Sequence, residues 1–352
     1  ARSIAQKSNK SVIVIEKEES YGRGISSRNS EVIHSGIYYP KNSLKLKHCI
    51  NGRSLLYDYC LKNDIWHQNC GKLIICNKHQ SEDLNKLFYK SLENNIPNVK
   101  TLEKNEINKI EQNIIADHGI YIGCTGIVSA HDLMTSFHIK SQKKDHDYLF
   151  NTKVVGVNPK TEGYELEIKN ANSEIEKLHS SWVINTSGLE SGIIGQMLSN
   201  KFPKLRYSKG AYFKLSSKWR SAFNHLVYPL PDKKYGSLGI HLTIDRQKGT
   251  KLGPDANWIN FNDINYNVDD SSINNFFNEG SKYIKGLSIN DLTPDYSGIR
   301  PKIFTKNNPF PDFYIQHEES AGYPQWVNLI GIESPGITAA ISIGEEISNL
   351  IN

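Results

Sequence analysis

The most constraining feature of the sequence is the run Ser-Val-Ile-Val-Ile at residues 11–15, which ends on Glu16. β-branched side chains fit a pleated surface, and a continuous apolar run reads as a strand covered on both faces, the habit of parallel sheets. Residues 1–6 read as the end of a helix and Ser8-Asn9-Lys10 as a polar turn. A helix, a tight turn and a buried strand ending in an acid make the second half of a βαβ unit. In a dinucleotide-binding fold, an acid there accepts two charge-assisted hydrogen bonds from a ribose. The ordinary alternative is a surface glutamate, since Glu18 and Glu19 follow. The glycine-rich GxGxxG loop that cradles a pyrophosphate belongs about 20 residues before the acid, ahead of Ala1. The chain therefore reads as truncated before that loop, the alternative being that no such loop existed.

Further along, residues 21–39 are rich in Gly, Ser and Asn without helical period and read as a loop that wraps something. Helices are expected over 43–61, 82–94, from a Ser129 cap through Phe137, over 269–285 and over 337–350. Strands are expected over 72–76, 153–157 and 164–168 (a hairpin), 182–184, 209–215, 227–230, 238–244 and 326–330. Strands and helices interleave at both ends around a β-rich middle. The expected fold is α/β: a Rossmann-like nucleotide-binding domain built from separated segments (1–65, 126–203, 296–352) and a β-sheet-rich substrate domain of α+β character (66–125, 204–295). A length of 352 residues suits two domains.

Composition narrows the function classes. The net charge of +5 is mild and the basic residues are scattered, so nothing calls for nucleic acid. No apolar run approaches the roughly 18–20 residues of a membrane-spanning helix, and no signal peptide is visible. The five cysteines are odd in number and form no CxxC pair, which argues against a zinc site or disulfide framework and for a reducing compartment. The expectation is a cytoplasmic protein, with peripheral contact at an inner membrane left open and no metal.

Five places carry candidate chemistry besides Glu16. In Asn328 to Thr338 (NLIGIESPGIT) a strand ends at Gly331, small residues turn the chain, and a helix begins near Ile337. Pro335 and Gly336 leave the backbone approachable at a helix N-terminus, whose dipole favours negative charge, as on a reduced flavin ring. Ser187-Gly188 is a similar strand-end turn. Arg300, followed by Pro301, can grip a carboxylate with its planar fork. His34 and His241 are the candidate general bases, because imidazole titrates near neutral pH. Each also has a plain reading: a routine turn, a surface ion pair, a structural histidine.

Together these pieces resemble the L-2-hydroxyglutarate dehydrogenase/oxidase family, within the D-amino-acid-oxidase-like FAD superfamily. The resemblance covers nearly the whole chain. It rests on SRNSEVIHSGIYY (27–39), SLKLKHCINGRSLLYDYC (43–60), CGKLII (70–75), GIV (126–128), YPLPD (228–232), GIHLT (239–243), GPDANW (253–258), SGIRPK (297–302) and residues 328–338, in that order. It implies FAD held without a covalent bond, with attachment at His34 left open. Glu16 would hold the adenosine ribose, Ser27, Arg28 and Asn29 the flavin and pyrophosphate, and Val154 the adenine end through its backbone. Ser187 and Gly188 would sit by the pyrophosphate, and Gly331, Pro335, Gly336 and Ile337 would cover the flavin's pyrimidine edge. Two departures stand out: Thr186-Ser187-Gly188 replaces an Ala-Ala-Gly type of sequence, and Ser129 stands where Asp is common.

The implied reaction oxidises a small 2-hydroxy dicarboxylate, L-2-hydroxyglutarate, to 2-oxoglutarate. Hydride passes to flavin N5, His241 or His34 takes the hydroxyl proton, Arg300 holds the 1-carboxylate, and a quinone-linked acceptor or oxygen receives the electrons. The rival readings are an amine or amino-acid oxidase of the glycine or sarcosine oxidase type and a non-catalytic domain that binds no FAD.

Overall fold

The computed structural model describes residues 1–142, 146–230, 239–305 and 311–351. Contacts divide the chain into two compact units. The first holds residues 1–27, 130–207 and 300–352, and the second holds 28–129 and 208–299. Residues 28–65 pack in the second unit, whereas the sequence reading grouped them with the nucleotide-binding segments. Packing partners define a unit, while a ligand can draw on residues of either.

In the first unit, strand Val12–Ile15 pairs in parallel with His146–Leu149, as its β-branched run suggested, but it is not covered on both faces: Ile13 is 42% exposed and Val12, Val14 and Ile15 are half-buried. Strand Val183–Asn185 pairs in parallel with Trp326–Ile330, which is flanked on its other edge by antiparallel Tyr314–His317. Parallel partners need crossover connections; helix Ser191–Leu198 packs on Val183–Asn185 and Trp326–Ile330, while helices Ala130–Ser141 and Gly336–Ile351 pack against Arg2–Lys7. The expected hairpin forms as Lys153–Pro159 against Tyr164–Lys169, and Ile175–Ser180 adds a third strand. Its inner residues Val157, Leu166 and Ile168 pack with Ile194 and the fully buried Trp326.

The second unit is built on a large sheet. Along it run Asn257–Ile259, Leu205–Leu215, Thr250–Leu252, Leu242–Ile244, Leu226–Pro229, Lys72–Cys76, His118–Ile122 and Val99–Glu103, with Leu292–Ile303 paired to Leu205–Leu215. All five residues of Lys72–Cys76 are buried, because this strand lies inside the sheet between a parallel and an antiparallel neighbour. Helix Leu44–Lys62 begins where Ser43 accepts a hydrogen bond from the Leu46 amide at 3.1 Å.

Two expected elements differ. The helix expected over 269–285 is confined to Ile273–Gly280, after a short 3-10 turn at Asp270–Ser272. Beyond it the chain pairs instead with another segment: the Ile115 amide donates to the Tyr283 carbonyl and the Lys285 amide to that of Asn113. The strand expected over 238–244 is Leu242–Ile244; Leu238 lies outside the described residues, as do Pro231 and Asp232 of the YPLPD segment.

Candidate flavin and substrate sites

In the first unit, three strand ends with small or acidic residues come together. The Glu16 amide donates to Leu149 O at 2.9 Å, which extends the parallel pairing by one residue. One Glu16 carboxylate oxygen accepts from the Glu18 amide at 3.0 Å; the other has no protein partner among the described residues. The next residue, Lys17, reaches Glu190 at 2.7 Å, and Lys153 reaches the other oxygen of Glu190 at 2.9 Å. Burial alone would raise the Glu190 carboxyl, but the two ammonium groups outweigh it and lower its pKa. These ion pairs tie the end of Val12–Ile15 to the turn after Val183–Asn185. In that turn Ser187 donates its hydroxyl to Asn185 Oδ1 at 2.7 Å, and Gly188 has φ +58°. A Cβ there would touch Ile25, two residues before Ser27. Ser27 itself donates to Gly24 O at 3.3 Å. Val154 lies in Lys153–Pro159, where its pairing with Ile168 follows a register shift.

A buried polar network holds the two parallel strands level. Asn185 Nδ2 donates to Asn328 Oδ1 at 2.9 Å, Trp326 Nε1 donates to the same oxygen at 2.9 Å, and Asn328 Nδ2 donates to Glu318 at 2.8 Å. Past Ile330 the chain turns at Gly331, whose φ of +71° favours glycine and whose missing Cβ leaves room for Ile303. Pro335 is buried, the Gly336 amide donates to Glu333 O at 2.6 Å, and helix Gly336–Ile351 starts there. The Ile337 amide has no acceptor among the described residues. Lys302 donates to the buried Glu333 at 3.0 Å and steadies the turn. Arg300 also belongs to this unit, partly buried near the end of Leu292–Ile303.

In the second unit, Arg28 and Asn29 are clamped against residues 266–298. The Arg28 guanidinium lies 3.9 Å from the centre of the Tyr266 ring, and Tyr296 donates its hydroxyl to Asn29 O at 2.6 Å. A Cβ on Gly298 would collide with the Arg28 carbonyl, so the glycine of Ser-Gly-Ile-Arg is needed for close approach. The buried Arg28 Nε has no acceptor among the described residues.

His34 sits on a loop held by two helices. Cys49 donates to the His34 carbonyl at 3.3 Å and Arg53 to the Ser35 carbonyl at 2.9 Å. Lys90 and Asn94 donate to the carbonyls of Tyr38 and Tyr39 at 2.8 and 3.1 Å. Burial lowers His34 to about 3, assisted by the charges of Lys72 and His241, so its imidazole is neutral at physiological pH. His241 is buried, its Nδ1 lies 3.1 Å from Gly239 O, and its ring stacks on Tyr228 with centroids 3.8 Å apart. The fold thus gathers the two candidate bases in one unit. It adds three residues the sequence reading passed over: Lys72, Tyr38 and Tyr228. Lys72 opens the strand expected over 72–76 but carries no local signal of a site, and neither tyrosine does.

These features suit a flavin dinucleotide. The first unit offers an acid with a spare oxygen, a glycine turn and a free amide at a helix start, all at strand ends where dinucleotides bind in open α/β sheets. The second offers an unpaired buried guanidinium nitrogen. Among the described residues no cluster of three or more His, Cys, Asp or Glu could hold a metal, and no helix is long and apolar enough to cross a membrane.

The model of the FAD dependent oxidoreductase family matches residues 1–350, and the chain belongs to that family; it is a flavoenzyme with FAD as its cofactor. Among its relatives, it is 34% identical to the mitochondrial L-2-hydroxyglutarate dehydrogenase of Arabidopsis thaliana, over 96% of this chain and 78% of that protein. It is 26% identical to L-2-hydroxyglutarate dehydrogenase of Escherichia coli K12, over 96% of this chain and 86% of that one. Among solved structures, it is similar to FAD-bound L-alpha-glycerophosphate oxidase from Mycoplasma pneumoniae, with TM-score 0.87, 21% identity and coverage of 100% of this chain and 91% of that chain. Glycine oxidase from Geobacillus kaustophilus follows with TM-score 0.81, 16% identity and coverage of 99% and 90%. At those identities the structural likeness speaks for the fold alone.

Proposed function

We propose that the chain oxidises L-2-hydroxyglutarate to 2-oxoglutarate. The observation that carries this reading is the 34% identity to a protein named for that activity over 96% of the chain; the neutral, firmly held His34 beside His241 supports it. Bound FAD supplies the two-electron acceptor for the hydride that leaves C2. The protein's part is binding, orientation and proton management. Glu16, Ser27, Val154, Ser187 and Gly188, with Arg28 and Asn29, would hold the dinucleotide, and Gly331, Pro335, Gly336 and Ile337 would contact its flavin end. The free amide and positive dipole end at Ile337 favour negative charge there. Arg300 takes the 1-carboxylate through its two-pronged fork. A neutral imidazole, His34 or His241, accepts the C2 hydroxyl proton as the carbonyl forms. Electrons leave the enzyme to a quinone-linked acceptor or to oxygen.

The test is anaerobic mixing of the FAD-loaded protein with 2-hydroxy and amino acids. Loss of flavin absorbance with L-2-hydroxyglutarate, and not with its D-enantiomer, glycine or sarcosine, is expected. Bleaching by glycine or sarcosine alone would put the chain among the amine oxidases.

A further inference from the structure

Strand Lys72–Cys76 is apolar except for Lys72, whose side chain is 1% exposed. Register places Lys72 opposite Leu226 in the parallel neighbour. Alternation then puts Tyr228, two residues beyond Leu226, on the same sheet face. Val227 pairs with Leu242, which leaves His241 on the Tyr228 face too. The contacts agree: Lys72 Nζ lies 4.7 Å from the centre of the Tyr228 ring and 5.1 Å from that of Tyr38. His241 stacks on the same Tyr228 ring.

Among the described residues nothing negative faces this ammonium. Its side chain makes no ion pair and no hydrogen bond to the described residues. The ionisable neighbours on helix Leu44–Lys62 and at residue 124 are the thiols of Cys49 and Cys124, both kept protonated by burial, and Arg53 carries the same sign as the lysine. From the covering loop come His34, which is neutral, and Tyr38. The hydroxyls of Tyr38 and Tyr228 are buried and have no partner among the described residues. A buried ammonium and two buried hydroxyls, all lacking acceptors, are costly for a protein that binds nothing there. The same three groups are what a carboxylate needs: one positive charge and two donors converging on it.

We propose that Lys72, with Tyr38 and Tyr228, is the receptor for the substrate carboxylate remote from the reacting carbon, so that the enzyme selects dicarboxylic 2-hydroxy acids over monocarboxylic ones. The inference rests on the reading of the chain as a 2-hydroxy-acid oxidoreductase, and it deepens that reading by naming what recognises the second acid group.

The experiment compares wild type with Lys72→Met in the FAD-loaded full chain, on L-2-hydroxyglutarate and on L-2-hydroxyvalerate, which has the same carbon count and no distal carboxylate. Loss of a partner to a buried charge supports an effect of about 100-fold. The kcat/KM for the dicarboxylate should fall by about that factor, mostly through KM, while that for the monocarboxylate should change less than about threefold. Equal losses on both substrates, or none on the dicarboxylate, would overturn the assignment. A second readout needs no turnover: glutarate should raise the melting temperature of wild type and leave Lys72→Met unmoved, with butyrate inert in both. An equal glutarate shift in both proteins, or none in wild type, would overturn it. If Lys72→Met does not fold, Tyr38→Phe removes one hydroxyl of the same receptor and should lose about tenfold on the dicarboxylate only; an unchanged preference would overturn it. A Lys72-dependent glutarate shift without oxidation of any 2-hydroxy acid would leave the anion receptor standing and remove the proposed reaction. Oxidation with no such shift would do the reverse.

Discussion

Replacing Lys72 by methionine should make the ligand-free protein more stable near neutral pH. Methionine keeps the unbranched stem and removes the charge. Burial lowers the Lys72 ammonium from 10.5 to about 8, a change only partly offset by the Cys124 and Cys49 thiols. A shift of that size corresponds to roughly 3 kcal/mol of penalty on the charged form at pH 7. The Tyr228 and Tyr38 rings return part of this, about 1–2 kcal/mol for a desolvated cation. The net gain for Lys72→Met is therefore about 1–2 kcal/mol, or about 2–8 °C in melting temperature for a unit of this size. The pH dependence has a definite sign. The native state releases the Lys72 proton near pH 8 while the unfolded chain holds it up to about 10.5. Between those values the unfolded state binds more protons, so wild-type stability rises with pH through this group. The advantage of Lys72→Met should be full below about pH 8, shrink above it and vanish near pH 10.5. His34, His241, Tyr38, Tyr228, Cys49, Cys124 and Arg53 surround the ammonium in both proteins, so the difference between the two melting curves isolates it. Urea or thermal unfolding at pH 7 and pH 10, followed by tryptophan fluorescence, measures the effect. A variant less stable than wild type at pH 7, or a difference that does not change with pH, would refute the reasoning.

Other outcomes follow from the same geometry. Gly298→Ala forces a methyl against the Arg28 carbonyl, and backbone has nowhere cheap to go, so a loss of about 2–3 kcal/mol with weaker FAD retention is expected in unfolding and flavin titrations. Glu190→Gln removes two ion pairs whose lysines are about half exposed, at 47% and 48%, so the cost at neutral pH should be about 1 kcal/mol. Because the native Glu190 carboxyl is depressed, that difference should persist above its unfolded value of 4.5 and disappear as pH falls through the native one. His34→Asn should lower kcat by about 10²–10⁴-fold with the flavin spectrum retained. Since His34 is already neutral above about pH 3, any activity limb between pH 6 and 7 should keep its position in that variant.

The chemistry of residue type and spacing made much of the chain legible. The β-branched run before Glu16 was legible as a parallel strand, though not its exposure, since Ile13 is 42% exposed and its neighbours are only half-buried; the strand–turn–helix of residues 326–351 followed from an apolar run, a Pro-Gly turn and an amphipathic tail. The helix expected over 269–285 failed because local periodicity is blind to a competing partner: residues 283–285 gain backbone pairing with 113–115, which are far away in sequence. The need for Gly298 was equally hidden, since only the approach of Arg28, some 270 residues earlier in the chain, makes a side chain impossible there.

Lys72 marks the boundary most sharply. By itself the sequence determined that residues 72–76 form a strand and that His34 and His241 could act as bases. A lysine opening an apolar strand ordinarily points to water, so nothing local singled it out. Tertiary structure decided otherwise: the Leu226 register turned Lys72 onto the Tyr228 face, the anchored loop of His34 and Tyr38 closed over it, and a surface charge became a buried one with no counter-ion among the described residues. Desolvation depends on everything that surrounds a group, and that is settled by segments distant in sequence.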